Sequence, residues 1–341
     1  MNHNRRRNSI MNTRKMITLM VVLVMCCSTG AALAADKMTL KLGSGHSQQH
    51  PVEQGYIKIK EVLEEKTDGR ITVQLFPNSQ LGNESEMVEM IKLGTMTGIS
   101  VGRYEETTPV LYLLSLPFLF KDYAHVNKAL SGEVGDYVAG FAEENGLKIL
   151  DWWHSGFRQI TNKVRPIKSP ADLEGLKMRT PPLENILRTM QAFGASATPI
   201  PYPELYMALK TGVVDGQENP YVNIYSEKFY EVQKYVTEVN YIYIASPFLV
   251  NLDWWNSLSP EDQVLIQDAV NAGGDYCNGL TESKDKEFLR LLTEEHGMEL
   301  YVPTDEERAQ FIGLVQPVYD YFIEQGYASQ EMIDKIQALA E

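Results

Sequence analysis

Three short runs of the chain bring strong hydrogen-bonding side chains to the ends of apolar segments. GLKMRTPP (175–182) alternates Leu176 and Met178 against Lys177 and Arg179, then stops at two prolines, which cannot donate to a sheet. DWWHSGFRQITN (151–162) carries Arg158 close to Gly156 and to the paired Trp152 and Trp153, and DGQENPY (215–221) follows Val213 and Val214 with Gln217, Glu218 and Asn219 in a row. The chemistry that two guanidiniums and a carboxamide offer together is the holding of a small anion. Arginine suits it because its planar fork donates two parallel hydrogen bonds to a carboxylate and stays charged at any physiological pH. Residue type alone leaves blander uses open: an arginine at a strand end is ordinarily a surface residue with a buried stem, tryptophans are ordinarily core, and DGQENP also reads as a turn.

Other chemistry finds no support in the sequence. There is no G-x-S-x-G elbow, no G-x-x-x-x-G-K-[ST] loop, no paired CxxC and no H-E-x-x-H, so neither an enzyme nor a cofactor is expected. His46 and His50, four apart, would suit a metal on a helix, but Gly43, Gly45 and Pro51 predict a loop there and no metal site. Acidic pairs such as Glu64–Glu65 and Glu294–Glu295 read as solvated helix faces.

The elements that must position these residues alternate along the chain. MTLKLG (38–43) and ITVQLFP (71–77) predict strands, and Val52, Tyr56, Ile59 and Leu63 recur between them at helical spacing. Further strands are expected at 99–101, 147–152, 158–162, 176–180, 213–215 and 242–250, with helices at 84–94, 182–194 and 203–212 among them. Such alternation predicts open α/β sheets, whose ligand sites lie beyond the carboxyl ends of strands. Near 259 the pattern changes. Ser259 as N-cap, Pro260 at the first helical position and Asp262 three residues after the cap open one very long helix that runs through Gly273 and Gly274 toward His296. Thr304 with Glu307 predicts a capping box for another helix, and two short helices close the chain.

The first 34 residues carry Arg5, Arg6, Arg7, Arg14 and Lys15 without an acid, then the apolar run Ile17–Met25, then AALA with Ala32 and Ala34 spaced for cleavage. That predicts a secretory signal peptide, since the run is far short of the ~20 apolar residues that span a bilayer. Met11 opens a second, tidier version of the same pattern. Five of the 31 basic residues and none of the 45 acidic ones lie in this segment, so its removal takes the net charge from −14 to −19. Nucleic acid is excluded as a partner by that charge. Of the three cysteines only Cys277 would stay, so no internal disulfide is expected.

The runs GLKMRTP, SGFRQITN, ATPIPYPELYMALKTGVVDGQENP and EKFYEVQKYV, with FPNSQLG (76–82) upstream, resemble the solute-binding proteins of tripartite ATP-independent periplasmic (TRAP) transporters over essentially the whole chain after the signal. The resemblance implies a two-domain periplasmic binding protein fold of α/β class, type II-like, with the long helix spanning both domains. The expected divisions are 36–155 with 245–285 and 156–244 with 286–341. It also implies a periplasmic protein, a monomer, that captures a small organic acid (a sugar acid or dicarboxylate) and delivers it to the TRAP membrane permease. Residue by residue, Arg179 stands where the family grips the ligand carboxylate, Arg158 at its second arginine, and Asn219 at an asparagine that helps fix the carboxylate. Tyr202 takes the place of an aromatic that lies against the ligand, and Glu218 that of a residue bracing the arginines. His46, Arg103 and Ser246 fall where members differ with what they bind. Gly102 replaces the glutamate of the sialic acid binders, which argues against that ligand. Trp153 and Tyr221 read equally as stacking partners or as pocket wall. Two other classes stay open: a binding protein serving a chemoreceptor or an ABC importer, and a secreted α/β enzyme acting on small carboxylates.

Overall fold

In a computed structural model the described residues are 36–102 and 108–340. The predicted signal segment and Arg103 lie outside them. From Thr39 onward they form one compact unit containing two sheets.

The first sheet holds β1 (Met38–Gly43), β2 (Ile71–Phe76), β3 (Gly98–Ser100), β4 (Leu147–Phe157) and β10 (Tyr243–Asn251), in the order β2-β1-β3-β10-β4. The second holds β5 (Gln159–Asn162), β6 (Lys177–Thr180), β7 (Ser196–Pro199), β8 (Gly216–Asn219), β9 (Tyr235–Thr237) and β11 (Glu299–Tyr301), in the order β11-β9-β5-β8-β6-β7. β1 runs parallel to β3, and β10 antiparallel to both β3 and β4. The helices follow the strands as a doubly layered α/β fold requires, and the mixed α/β class with two sheets agrees with the alternation in the sequence.

The chain changes sheets where the sequence offers little room for slack. A single residue, Arg158, separates β4 from β5, and its amide donates to Ile242 O at 2.8 Å just before β10 begins. Phe118 N donates to Tyr241 O at 2.6 Å beside them. The crossings are thus hydrogen-bonded to one another.

The long helix is present as Pro260–Arg290, continued by a π-helical turn at Leu291–Glu295. Ser259 caps it through its hydroxyl, which accepts from Asp262 N at 3.1 Å, and Pro260 fills the first turn, where a missing N–H costs nothing. It crosses the helix Pro51–Lys66 at glycine: a Cβ on Gly55 would stand 2.8 Å from Gly273 O, and one on Gly273 would stand 2.8 Å from Gly55 O. Neither position has room for a side chain. Thr304 and Glu307 form the expected capping box at the head of Asp305–Ile312.

Several boundaries differ from the sequence expectation. The strand expected at 213–215 lies instead at Gly216–Asn219, and Val213 is exposed. Hydropathy misplaces it because its residues are polar yet fully buried. β4 extends five residues beyond the expected end, through His154, Ser155 and Gly156 to Phe157. The three-to-four-residue strands β7, β9 and β11 carry too little alternation to register.

Candidate functional site

Residues from both sheets line one cavity with about 460 Å³ of empty space, open solvent at its mouth included. Arg179 from β6, Asn219 from β8, Arg158 from the β4–β5 crossing and Tyr202 before the helix Leu205–Thr211 bring the second sheet to it. Its other wall is formed by His46 from the loop after β1, Gly102 after β3, Ser155 from β4 and Ile244 from β10.

The two arginines are held differently. Arg158, 7 % exposed, gives Nε and Nη2 to the Glu218 carboxylate and Nη2 also to Glu218 O at 2.7 Å. Burial works against its charged form, and the adjacent Glu218 carboxylate overcomes this and holds the guanidinium above its ordinary pKa. Tyr241 OH donates to the same carboxylate at 2.6 Å. Arg179, 1 % exposed, donates from Nε to Ile200 O at 2.9 Å, and its Cζ stands 5.9 Å from the centroid of the Tyr202 ring.

His46 and His50 stack face to face, 3.8 Å between centroids and 7° between planes. Burial lowers His46 to about pH 4, and burial together with His46 holds His50 well below the usual histidine range. Both rings are therefore neutral at pH 7. His50 Nδ1 accepts from Val52 N at 3.2 Å as an N-cap, and its other nitrogen lies 3.5 Å from Asn223 Oδ1. Asn223 Nδ2 in turn donates to Tyr202 OH at 2.9 Å, and Ser47 N donates to the Glu227 carboxylate at 2.9 Å. The loop after β1 is thus tied to the helix Tyr221–Ser226 that follows β8.

Among the described residues, the remaining expected ones lie apart from the cavity lining. Glu218 is fully buried behind Arg158. Ser246 sits behind Ser155, their hydroxyls 2.6 Å apart. Trp153 is fully buried against Tyr56 and Phe248, with its indole N–H on Asp151 at 2.9 Å, so it packs the first sheet against the long helix. Tyr221 is buried and donates to Glu238 at 2.6 Å. Sequence reasoning missed Glu84, Ser155 and Asn223, all of which line the cavity. Asn223 had a signal, since it follows Asn219 by four residues across a Pro–Tyr helix start. For Glu84 and Ser155 only the tertiary fold decides.

Under the cavity loop, Glu53 is 2 % exposed and accepts from Ser44 Oγ. Burial pushes its carboxyl up to about 7 against the pull of that hydrogen bond. Because the folded value exceeds the unfolded one, the protonated form's stability is complete below about pH 4.5 and is lost as pH rises through 7. Glu53→Gln, which cannot ionise, is expected to match wild type in urea unfolding below pH 4.5 and to exceed it by up to about 3 kcal/mol at pH 8. Parallel stability curves across this range would remove Glu53 as a buried acid.

The model of the family described as bacterial extracellular solute-binding protein, family 7, matches residues 42–325. The chain is 33 % identical over 333 residues to the 2,3-diketo-L-gulonate-binding periplasmic protein YiaO of Escherichia coli (strain K12), covering 96 % of this chain and 100 % of that one. It is 30 % identical over 318 residues to the C4-dicarboxylate-binding periplasmic protein DctP of Rhodobacter capsulatus, covering 91 % and 95 %. Among solved structures, a TRAP periplasmic solute binding protein from Shewanella oneidensis with bound succinate superposes with a TM-score of 0.85 at 29 % identity, over 89 % of this chain and 100 % of that one.

Proposed function

The chain belongs to the bacterial extracellular solute-binding proteins of family 7, and we propose that it seizes a small organic acid by its carboxylate in the cavity between the two sheets and passes it to TRAP membrane subunits. It is a solute-binding protein of the TRAP type for small organic acids, in a family of binding proteins rather than enzymes. The observation that carries the carboxylate seat is the convergence of Arg179, Arg158 and Asn219, from separate strand ends, on one cavity. Arg158 has its charge balanced by Glu218, so its part is to orient, and Arg179 supplies the bidentate grip. Tyr202 walls the seat, while His46 and Ser155, with Ser246 hydrogen-bonded behind Ser155, adapt the opposite wall to the rest of the ligand.

The lobes are taken as 36–155 with 245–285 and 156–244 with 286–341. A ligand touching both favours their closed arrangement by the difference in its contacts with the open and closed states. The working protein is a periplasmic monomer exported by residues 1–34. Relatives named for 2,3-diketo-L-gulonate and for C4-dicarboxylates support a sugar acid or a dicarboxylate.

The experiment is a thermal-shift screen against succinate, D-galactonate, D-glucuronate and 2,3-diketo-L-gulonate, with neutral sugars as controls. An acid at a hundred times its Kd is expected to add about 2.7 kcal/mol of stability and to be recovered unchanged. Stabilisation by the neutral sugars but by none of the acids would overturn the proposal.

A further inference from the structure

Four buried side chains are hydrogen-bonded in series from the cavity to the loop before β9, and we infer that Gln217, Thr161 and Gln233 are positioning residues that fix which way the Asn219 carboxamide faces. β5 and β8 are antiparallel, with Thr161 opposite Gln217 and Gln159 opposite Asn219, so Thr161, Gln217 and Asn219 share one face of the second sheet. Along that face Asn219 Nδ2 donates to Gln217 Oε1, Gln217 Nε2 donates to Thr161 Oγ1 at 2.8 Å, and Thr161 Oγ1 donates to Gln233 Oε1 at 3.0 Å. All four residues are at most 4 % exposed, and of the four only Asn219 lines the cavity.

The direction of the series is set at its far end. Gln233 Nε2 donates to Val232 O at 2.8 Å and approaches Asp215 O at 3.4 Å. Backbone carbonyls only accept, so the Gln233 nitrogen must face them and its oxygen must face Thr161. The Thr161 hydroxyl therefore donates to Gln233 and accepts from Gln217, which turns the Gln217 oxygen to Asn219 and the Asn219 nitrogen to Gln217. An amide turned over anywhere in the series would set two acceptors or two donors against each other without water to relieve them.

The consequence lies in the cavity. With its nitrogen held toward Gln217, Asn219 has a second N–H to give, and this hydrogen is what the proposed carboxylate takes. Turned over, Asn219 would offer an oxygen there and repel an anion. The inference rests on the proposed carboxylate seat. Three residues that never touch the ligand thus make this position a donor, and so help the site prefer anions.

The test compares Thr161→Val, which keeps the shape and loses the hydroxyl, with Thr161→Ser, which keeps the hydroxyl and loses a methyl. Calorimetry uses whichever of succinate, D-galactonate and D-glucuronate binds wild type most tightly. Thr161→Val is expected to weaken it about tenfold and Thr161→Ser less than twofold, whereas a packing role would not be rescued by serine. In the ligand-free protein, the side-chain amide proton signals of Asn219 are expected to shift in Thr161→Val and to stay in place in Thr161→Ser. Unmoved Asn219 signals in Thr161→Val overturn the inference whether or not any of the three acids binds. Arg179→Lys separates the two levels. If it weakens binding while Thr161→Val does not, the series is overturned and the carboxylate seat stands; if Arg179→Lys binds as wild type, the seat itself fails.

Discussion

Arg179→Ala is expected to fold and to lose organic-acid affinity several hundredfold or more. Arg179 is 1 % exposed, so a carboxylate that meets it in the cavity does so across a gap with little solvent to screen it. Without the guanidinium that carboxylate would be buried with no matching charge, a loss of roughly 3 to 5 kcal/mol. Arg158 cannot take over, because its Nε edge is committed to Glu218. Arg179→Lys keeps a charge but not the two-pronged fork and is expected to recover only part of the loss. Calorimetry on both variants decides the matter: near-wild-type affinity in Arg179→Ala would end the assignment of the grip. The side chain's Nε donates to Ile200 O at 2.9 Å, and losing that hydrogen bond costs folding about 1 kcal/mol.

A protein with net charge −14 makes an odd collector of anions. Two distances resolve this. Surface charges are screened beyond about 8 to 10 Å in physiological salt, whereas a buried guanidinium and a ligand carboxylate meet at hydrogen-bond range with little solvent between them. The acidic surface therefore slows encounter and leaves residence time almost unchanged.

The parts of this fold that sequence reveals are those where local chemistry and tertiary burial agree. β1 alternates and ends at a glycine, the long helix opens on Ser259 and Pro260, and Thr304 with Glu307 announces its capping box; each is specified within a few residues. β8 fails the same test. Gln217, Glu218 and Asn219 are polar and nearly inaccessible, and any pattern that equates polar with exposed reads them as a turn. Burying them is tolerable only because Thr161 on β5, Arg158 in the β4–β5 crossing and Tyr241 in the β9–β10 crossing satisfy them. Trp153 shows the converse. Its residue type fits a stacking wall as well as a core, and what settles its place is a glycine crossing 121 residues away, where a Cβ on Gly274 would meet its indole Nε1 at 2.6 Å. Arg179, Arg158 and Asn219 stand out in sequence because strand ends are few and guanidiniums at them fewer. Ser155 and Glu84 reach the same cavity from positions that only the assembled sheets define.

Glu218→Ala is expected to cost about 3 to 5 kcal/mol of folding stability, the second large effect, and for a reason unlike that of Arg179. Glu218 is fully buried and Arg158 nearly so. Removing the carboxylate leaves a desolvated guanidinium with no counter-charge and takes the acceptor from Tyr241 OH. The pair itself is not a strong source of stability, because taking both charges out of water offsets most of their attraction. Glu218→Leu combined with Arg158→Met should therefore fall well short of the single variant's loss, even though two interactions have gone. Urea unfolding of wild type, single and double variants gives the three values, and a Glu218→Ala curve within 1 kcal/mol of wild type would refute the account. The double variant also isolates what the ion pair is for: if it folds nearly as well as wild type yet binds organic acids poorly, the pair serves the ligand rather than holding the sheet together.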